Sequence, residues 1–83
     1  MPTVRRIDGF RLLILFPPRE HGPAHVHVVK GDGLCKIELA RGRHAQRTVA
    51  IDGMKAVDVR RAERIVREHT DTLLIEWEKI HDD

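Results

Sequence analysis

The chain has 83 residues, of which 41% are hydrophobic and 34% charged, and its formal net charge is +2. This length allows one domain with one modest core, and no Pro/Gly/Ser-rich linker interrupts it, so residues 1–83 are predicted to form a single domain. The longest apolar run, Leu12 to Phe16, is too short to span a membrane, and no apolar signal-peptide segment follows the first charges. These features exclude a membrane-spanning protein and predict a cytoplasmic one without a membrane partner.

The cysteine content and the charge distribution indicate the role of Cys35 and the type of partner that the chain could bind. The single cysteine, Cys35, has no internal disulfide partner and lies in an apolar run, so we expect a small buried hydrophobic residue. The first 54 residues carry a net charge of +4 and the remainder −2. The basic part suits an acidic partner such as RNA without requiring one. A chain of this size often gains stability by association, so a homo-oligomer is a further expectation.

The first two thirds of the chain predict β-structure. Four runs have an apolar or alternating pattern and are bounded by turn signals: residues 10–16, 24–30, 34–40 and, more weakly, 45–51. Between the second and third runs, Lys30-Gly31-Asp32-Gly33 is a strong hairpin signal, because glycine readily adopts positive φ.

The last third of the chain predicts a helix. Apolar residues recur at steps of three and four from about residue 55 to about residue 81, which is typical of one long amphipathic helix. Thr70-Asp71-Thr72 could cap a second helix, so a break near His69 is an alternative. The predicted fold is α+β: an antiparallel sheet of three to four strands with a long C-terminal helix packed on one face.

The most informative segment is His21-Gly22-Pro23-Ala24-His25-Val26-His27-Val28. Because side chains alternate along a strand, Val26 and Val28 should face the core while His25 and His27 project together from the other face. Lys36, on the next predicted strand, should point to that same side if the hairpin register permits.

Three interpretations of this histidine cluster remain open. In the first, His25 and His27 bind a metal with a third ligand from His21, Glu20 or His44, although nothing in the sequence defines that third ligand. We therefore predict no cofactor and assign no metal site; any site would involve His21, His25 and His27.

The second interpretation is metal-free catalysis, and the third is structural. His25 and His27 could serve as acid and base on an RNA backbone, with Lys36 stabilising the charged transition state. Arg11, together with Arg41, Arg43 and Arg47 of a basic segment, would then bind phosphate, although a solvated turn explains that segment equally well. Alternatively, the histidines line an interface on the sheet face opposite the helix.

Five segments fall in order along nearly the whole chain: Met1-Pro2-Thr3-Val4, Gly9-Phe10-Arg11, the histidine segment from His21 to Val28, Lys36-Ile37-Glu38-Leu39 and Leu73-Leu74-x-x-Trp77. Together these motifs resemble one small bacterial family, the domain of unknown function DUF4160. The family usually has a second proline where this chain has Ala24, which loosens the entry to the strand. The resemblance implies a compact α+β domain that is commonly encoded beside another small protein, as in toxin–antitoxin systems.

These observations lead to one expected function and one alternative. We expect a component of a toxin–antitoxin pair that contacts a small protein partner, its cognate toxin or antitoxin, through a histidine-lined sheet face. The alternative is a small RNA-directed enzyme, a ribonuclease-like toxin that uses His25 and His27. A metal-binding protein is a third interpretation.

Overall fold

The computed structural model describes residues 3–15, 23–40 and 46–81. Within these residues, strands precede helices along the chain, in the order β1 (Thr3–Ile7), β2 (Phe10–Ile14), β3 (His25–Lys30), β4 (Gly33–Glu38), β5 (Arg47–Asp52), α1 (Ala56–Glu68) and α2 (Thr70–His81). The α+β class is therefore as predicted.

The strands form one antiparallel sheet in the order β1-β2-β3-β4-β5, so that each strand pairs with its neighbours along the chain. The prediction of three to four strands was wrong because it omitted β1. This strand has the sequence Thr-Val-Arg-Arg-Ile. Its two adjacent arginines hide the apolar alternation that identifies a strand in sequence, and an edge position in the sheet tolerates them.

The sequence of the turn between β1 and β2 does indicate a hairpin. Asp8 and Gly9 both have positive φ, at 51° and 83°, and they connect the paired residues Ile7 and Phe10. A two-residue loop with positive φ at both positions suits the twist of a hairpin, and Asp-Gly is a preferred sequence for it. The dipeptide therefore indicates a hairpin that the apolar pattern alone misses.

The hairpin of β3 and β4 matches the prediction. Lys30 pairs with Gly33 across the turn, and Gly31 adopts a φ of 58°. Gly33 has a second role, because a Cβ atom built there would lie 2.8 Å from the Cα atom of Met54. The start of β4 thus packs closely against the backbone that follows β5.

The C-terminal region contains two helices of 13 and 12 residues, so the prediction of one long helix was wrong and the alternative of a break near His69 is confirmed. The His69 ring donates a hydrogen bond from Nδ1 to the carbonyl of Ile65 at 2.9 Å, and the Thr70 hydroxyl donates to the carbonyl of Val66 at 2.9 Å. Side chains that bond backbone carbonyls in this way compete with the helical ladder. No helix in the described ranges is long and apolar enough to cross a bilayer.

The core lies between one face of the sheet and the two helices. Its fully enclosed members include Phe10 from β2, Val26 from β3, Ile37 from β4 and Val66 from α1, each with no exposed surface. Polar contacts tie both helices to the same side of the sheet. The Arg5 guanidinium of β1 meets the Glu76 carboxylate of α2, and the Thr48 hydroxyl of β5 donates to the Glu63 carboxylate of α1.

Cys35 is part of this core, with no exposed surface. Burial raises the pKa of its thiol to about 11, and the carboxylate of Glu63 acts in the same direction. The thiol is therefore neutral near neutral pH, and Cys35 serves as a small buried hydrophobic residue, as expected.

Candidate functional site

The register of the sheet assigns each side chain of β3 to one of its two faces. Val26 pairs with Ile37 and Val28 pairs with Cys35, and all four side chains are fully buried. His25, His27 and Val29, which alternate with these valines along β3, therefore belong to the opposite face of the sheet. The valines anchor the strand, as the alternation predicts.

The opposite face has a continuous row of side chains across four strands. Leu13 of β2 pairs with His27, His27 pairs with Lys36 of β4, and Lys36 pairs with Ala50 of β5. We call the surface around this row the histidine face. Leu13, His27 and Lys36 are partly exposed and Ala50 is exposed. In the described part of the chain, the two helices pack on the other side of the sheet, although Trp77 of α2 reaches the ring of His25 at the start of β3.

His25 lies beside this row, but it is almost fully buried, with 2% of its surface exposed. Its Nδ1 donates a hydrogen bond to the carbonyl of Pro23 at 2.9 Å. Because that carbonyl can only accept, Nδ1 carries a proton, and Nε2 is the acceptor whenever the ring is neutral. The ring centroid lies 4.8 Å from that of Trp77 in α2. His25 is thus held by both the strand entry and the last helix.

The rings of His25 and His27 lie side by side, but they do not project together from the exposed face as the alternation predicts, because His25 is buried. Their centroids are 5.3 Å apart and their planes meet at 81°, an edge-to-face arrangement. His27 is partly exposed, whereas His25 is not. Of the two, His27 is therefore the imidazole that a ligand on the histidine face can reach.

The predicted cationic residues that the structure describes surround this pair. Lys36 lies directly across from His27. Arg11 is exposed and pairs with Val29, one pair further along β3 on the same face as His27. The side chain of Arg47 is 75% exposed, and its Nε lies 4.0 Å from the carboxylate of Glu38. The other predicted phosphate-binding residues, Arg41 and Arg43, lie outside the described residues.

The metal interpretation needs a third ligand beside the histidine pair. Across residues 3–15, 23–40 and 46–81, no group of three His, Cys, Asp or Glu side chains comes together as a metal-binding set. The expected contributors His21, Glu20 and His44 lie outside those ranges. Two imidazoles alone fall short of the usual ligand set of a protein zinc site.

The sequence matches a known family over most of its length. Residues 9–78 match the protein family described as Domain of unknown function (DUF4160). The chain belongs to this family. No curated protein and no solved structure matches it.

The DUF4160 match includes the whole histidine face from β2 to β5, and it also includes Trp77. The row through His27 and Lys36 is therefore part of the DUF4160 domain, whereas β1 and His81 lie beyond the matched residues. The match identifies the domain without assigning it an activity.

Trp77 and His81 of α2 form a ring pair that the sequence analysis did not identify. The structure stacks their rings at 3.6 Å with 13° between the planes, and the Nδ1 of His81 donates to the Trp77 carbonyl at 3.0 Å. Their spacing of four residues on one helix is the signal that could have revealed this pair.

Proposed function

We propose that this DUF4160 domain acts by binding a small protein partner through its histidine face, as one component of a toxin–antitoxin pair. The observation that carries the proposal is the row formed by Leu13, His27, Lys36 and Ala50 on the side of the sheet away from the helices. A flat surface that combines apolar side chains with a few polar ones is typical of protein interfaces.

The charges around the row favour an acidic partner. Lys36 lies within the row, and the exposed side chains of Arg11 and Arg47 lie on the same face. Complementary charge on the partner would direct association and select against basic proteins. The pairing with a neighbouring gene product is supported by the family's usual arrangement beside a second small protein.

The alternative is a ribonuclease-like enzyme that uses His25 and His27 as acid and base, with Lys36 beside them. The 5.3 Å separation of the two rings favours it. The burial of His25 weighs against it, because a general acid or base must come within hydrogen-bond reach of the substrate. The His25 ring packs against Trp77. The binding interpretation is compatible with this structural role, because it does not require His25 to reach a substrate.

Co-purification with the product of the neighbouring gene tests the binding proposal. We expect the two proteins to form a complex, and Lys36→Glu to raise its Kd by about tenfold or more through charge repulsion. Lys79→Glu is the matched control, because it makes the same charge change at an exposed lysine on α2. A protein that never binds the neighbour, or equal effects of the two substitutions, would contradict the proposal.

Expression of the protein alone tests the enzymatic alternative. A ribonuclease-like toxin should arrest growth, and His27→Ala should relieve the arrest without unfolding the protein. His27 is the better choice than His25 for this test, because its replacement disturbs the core less. Growth without arrest, or arrest that persists in a folded His27→Ala variant, rules out the alternative.

A further inference from the structure

Strand β5 forms one edge of the sheet and leaves apolar side chains exposed there. It pairs with β4 on one side, and no other described strand pairs with its outer side. Val49 is 38% exposed, Ile51 is 57% exposed and Ala50 is also exposed. An edge strand with unpaired backbone groups and an uncharged middle is a template for pairing with another strand.

The opposite edge of the sheet is protected in a way that β5 is not. Strand β1 carries Arg5 and Arg6 at its centre, and Arg6 is exposed. Charged side chains in the middle of an edge strand discourage pairing with other chains. The four central residues of β5, from Thr48 to Ile51, contain no charge. The two edges therefore differ in their capacity to accept another strand.

The ends of β5 carry opposite charges on one face of the sheet. Arg47 pairs with Glu38 and Asp52 pairs with Leu34, and these two β4 residues share a face. In a regular strand, positions five residues apart would lie on opposite faces. A register shift, with Val49 as the extra residue, brings Arg47 and Asp52 to the same face. Such a bulge usually blunts an edge, but here it aligns the two charges.

We propose that β5 pairs antiparallel with β5 of a second copy of this chain, across a two-fold axis between Val49 and Ala50. In this register Arg47 of each copy lies opposite Asp52 of the other, and Thr48 lies opposite Ile51. Opposite residues lie on the same face, so both charge pairs form and no charge faces a like charge. One continuous sheet then runs through both copies.

The exposed apolar side chains of β5 support pairing with a second copy of the chain. Among the described residues, two of the four exposed large hydrophobic side chains, Val49 and Ile51, belong to β5. Association around β5 removes apolar surface from water in a chain that has only a small core. This interface shares Arg47 and Ala50 with the histidine face, but it rests on strand pairing along the β5 edge and does not require a partner on that face.

Mass measurement of the full chain by light scattering and sedimentation tests the proposal. Across protein concentrations up to the millimolar range, we expect a dimer of twice 9.6 kDa. Arg47→Asp and Asp52→Arg each place like charges opposite one another and should each raise the Kd of the dimer by about tenfold or more. An equimolar mixture of the two variants should dimerise again, because each carboxylate of one variant then faces a guanidinium of the other.

A second pair of variants tests the interface without altering Arg47 or Asp52. Ile51→Lys should abolish the dimer, whereas Ile75→Lys should leave it intact, because Ile75 is 49% exposed but lies on α2. Circular dichroism checks that each variant folds. A wild-type chain that stays monomeric throughout overturns the proposal, as does a dimer that is insensitive to Ile51→Lys or a mixture of charge variants that does not recover.

Discussion

The guanidinium of Arg5 lies 2.6 Å from the carboxylate of Glu76, which joins the first strand of the sheet to the last helix. Both nitrogens, Nε and Nη2, donate to the same carboxylate oxygen. The hydrogen bond and the charge of Glu76 raise the pKa of Arg5 above its usual value. This pair fixes the position of α2 relative to β1, two elements at opposite ends of the sequence.

We expect Glu76→Gln to lower the free energy of unfolding by about 1 kcal/mol, because the pair is only partly exposed and its hydrogen bonds are charge-assisted. Urea denaturation at low and high salt measures the loss. The difference from wild type should shrink at high salt. Glu68→Gln, an exposed substitution on α1, is the control and should have little effect. Equal losses for the two variants would show that the pair contributes nothing.

The two histidines of β3 should differ in their contribution to stability. His25→Ala removes a buried ring that contacts Trp77 and donates to the Pro23 carbonyl, so we expect a loss of about 1–3 kcal/mol. His27→Ala removes a partly exposed ring and should cost less than about 1 kcal/mol. Denaturant unfolding of the two variants measures this order, and the reverse order would show that His25 is not a packing residue.

Gly33 should not tolerate even a methyl group. In Gly33→Ala the new Cβ lies too close to the Met54 backbone, so the chain must shift at a cost of about 1–3 kcal/mol. Gly31→Ala provides the comparison. Gly31 has a positive φ and nothing within 4 Å, so strain alone should cost about 1 kcal/mol. Thermal unfolding should rank Gly33→Ala as the less stable variant; similar melting temperatures would mean that Met54 moves aside freely.

Cys35 should make stability depend on pH in the alkaline range. The unfolded thiol titrates near its ordinary pKa of 9.0, whereas the folded thiol titrates at about 11. Between these values the unfolded chain binds fewer protons, so stability should fall as pH rises from 9 to 11. Cys35→Ala is less stable at neutral pH because it leaves a cavity, but its stability should fall less steeply over this range. Parallel slopes for both proteins would contradict a raised pKa.

The parts of the fold that the sequence predicts are those where local pattern and tertiary structure agree. The β3–β4 hairpin has both a glycine turn and alternating residues, and the pattern correctly assigned Val26 and Val28 to the core. Strand β1 was missed because its position depends on pairing with β2 and on the Arg5–Glu76 contact, neither of which is visible in its own pattern.

The helix break and the burial of His25 also depend on contacts that a local sequence pattern does not contain. The apolar stripe continues past His69, because the interruption is a single residue and the periodicity survives it. The side-chain hydrogen bonds of His69 and Thr70 with the backbone break the helix, and periodicity does not encode them. His25 is buried because α2 brings Trp77 against it, and strand alternation cannot anticipate where a distant helix packs.

The contact of Trp77 with two imidazoles, those of His25 and His81, gives this chain an intrinsic optical probe. The sequence contains one tryptophan and no tyrosine, so its long-wavelength emission originates from this indole alone. Movement of α2 away from β3 changes the surroundings of this indole, so its emission reports on the contact with His25. Fluorescence measured during denaturant unfolding can thereby follow the docking of the last helix against the sheet.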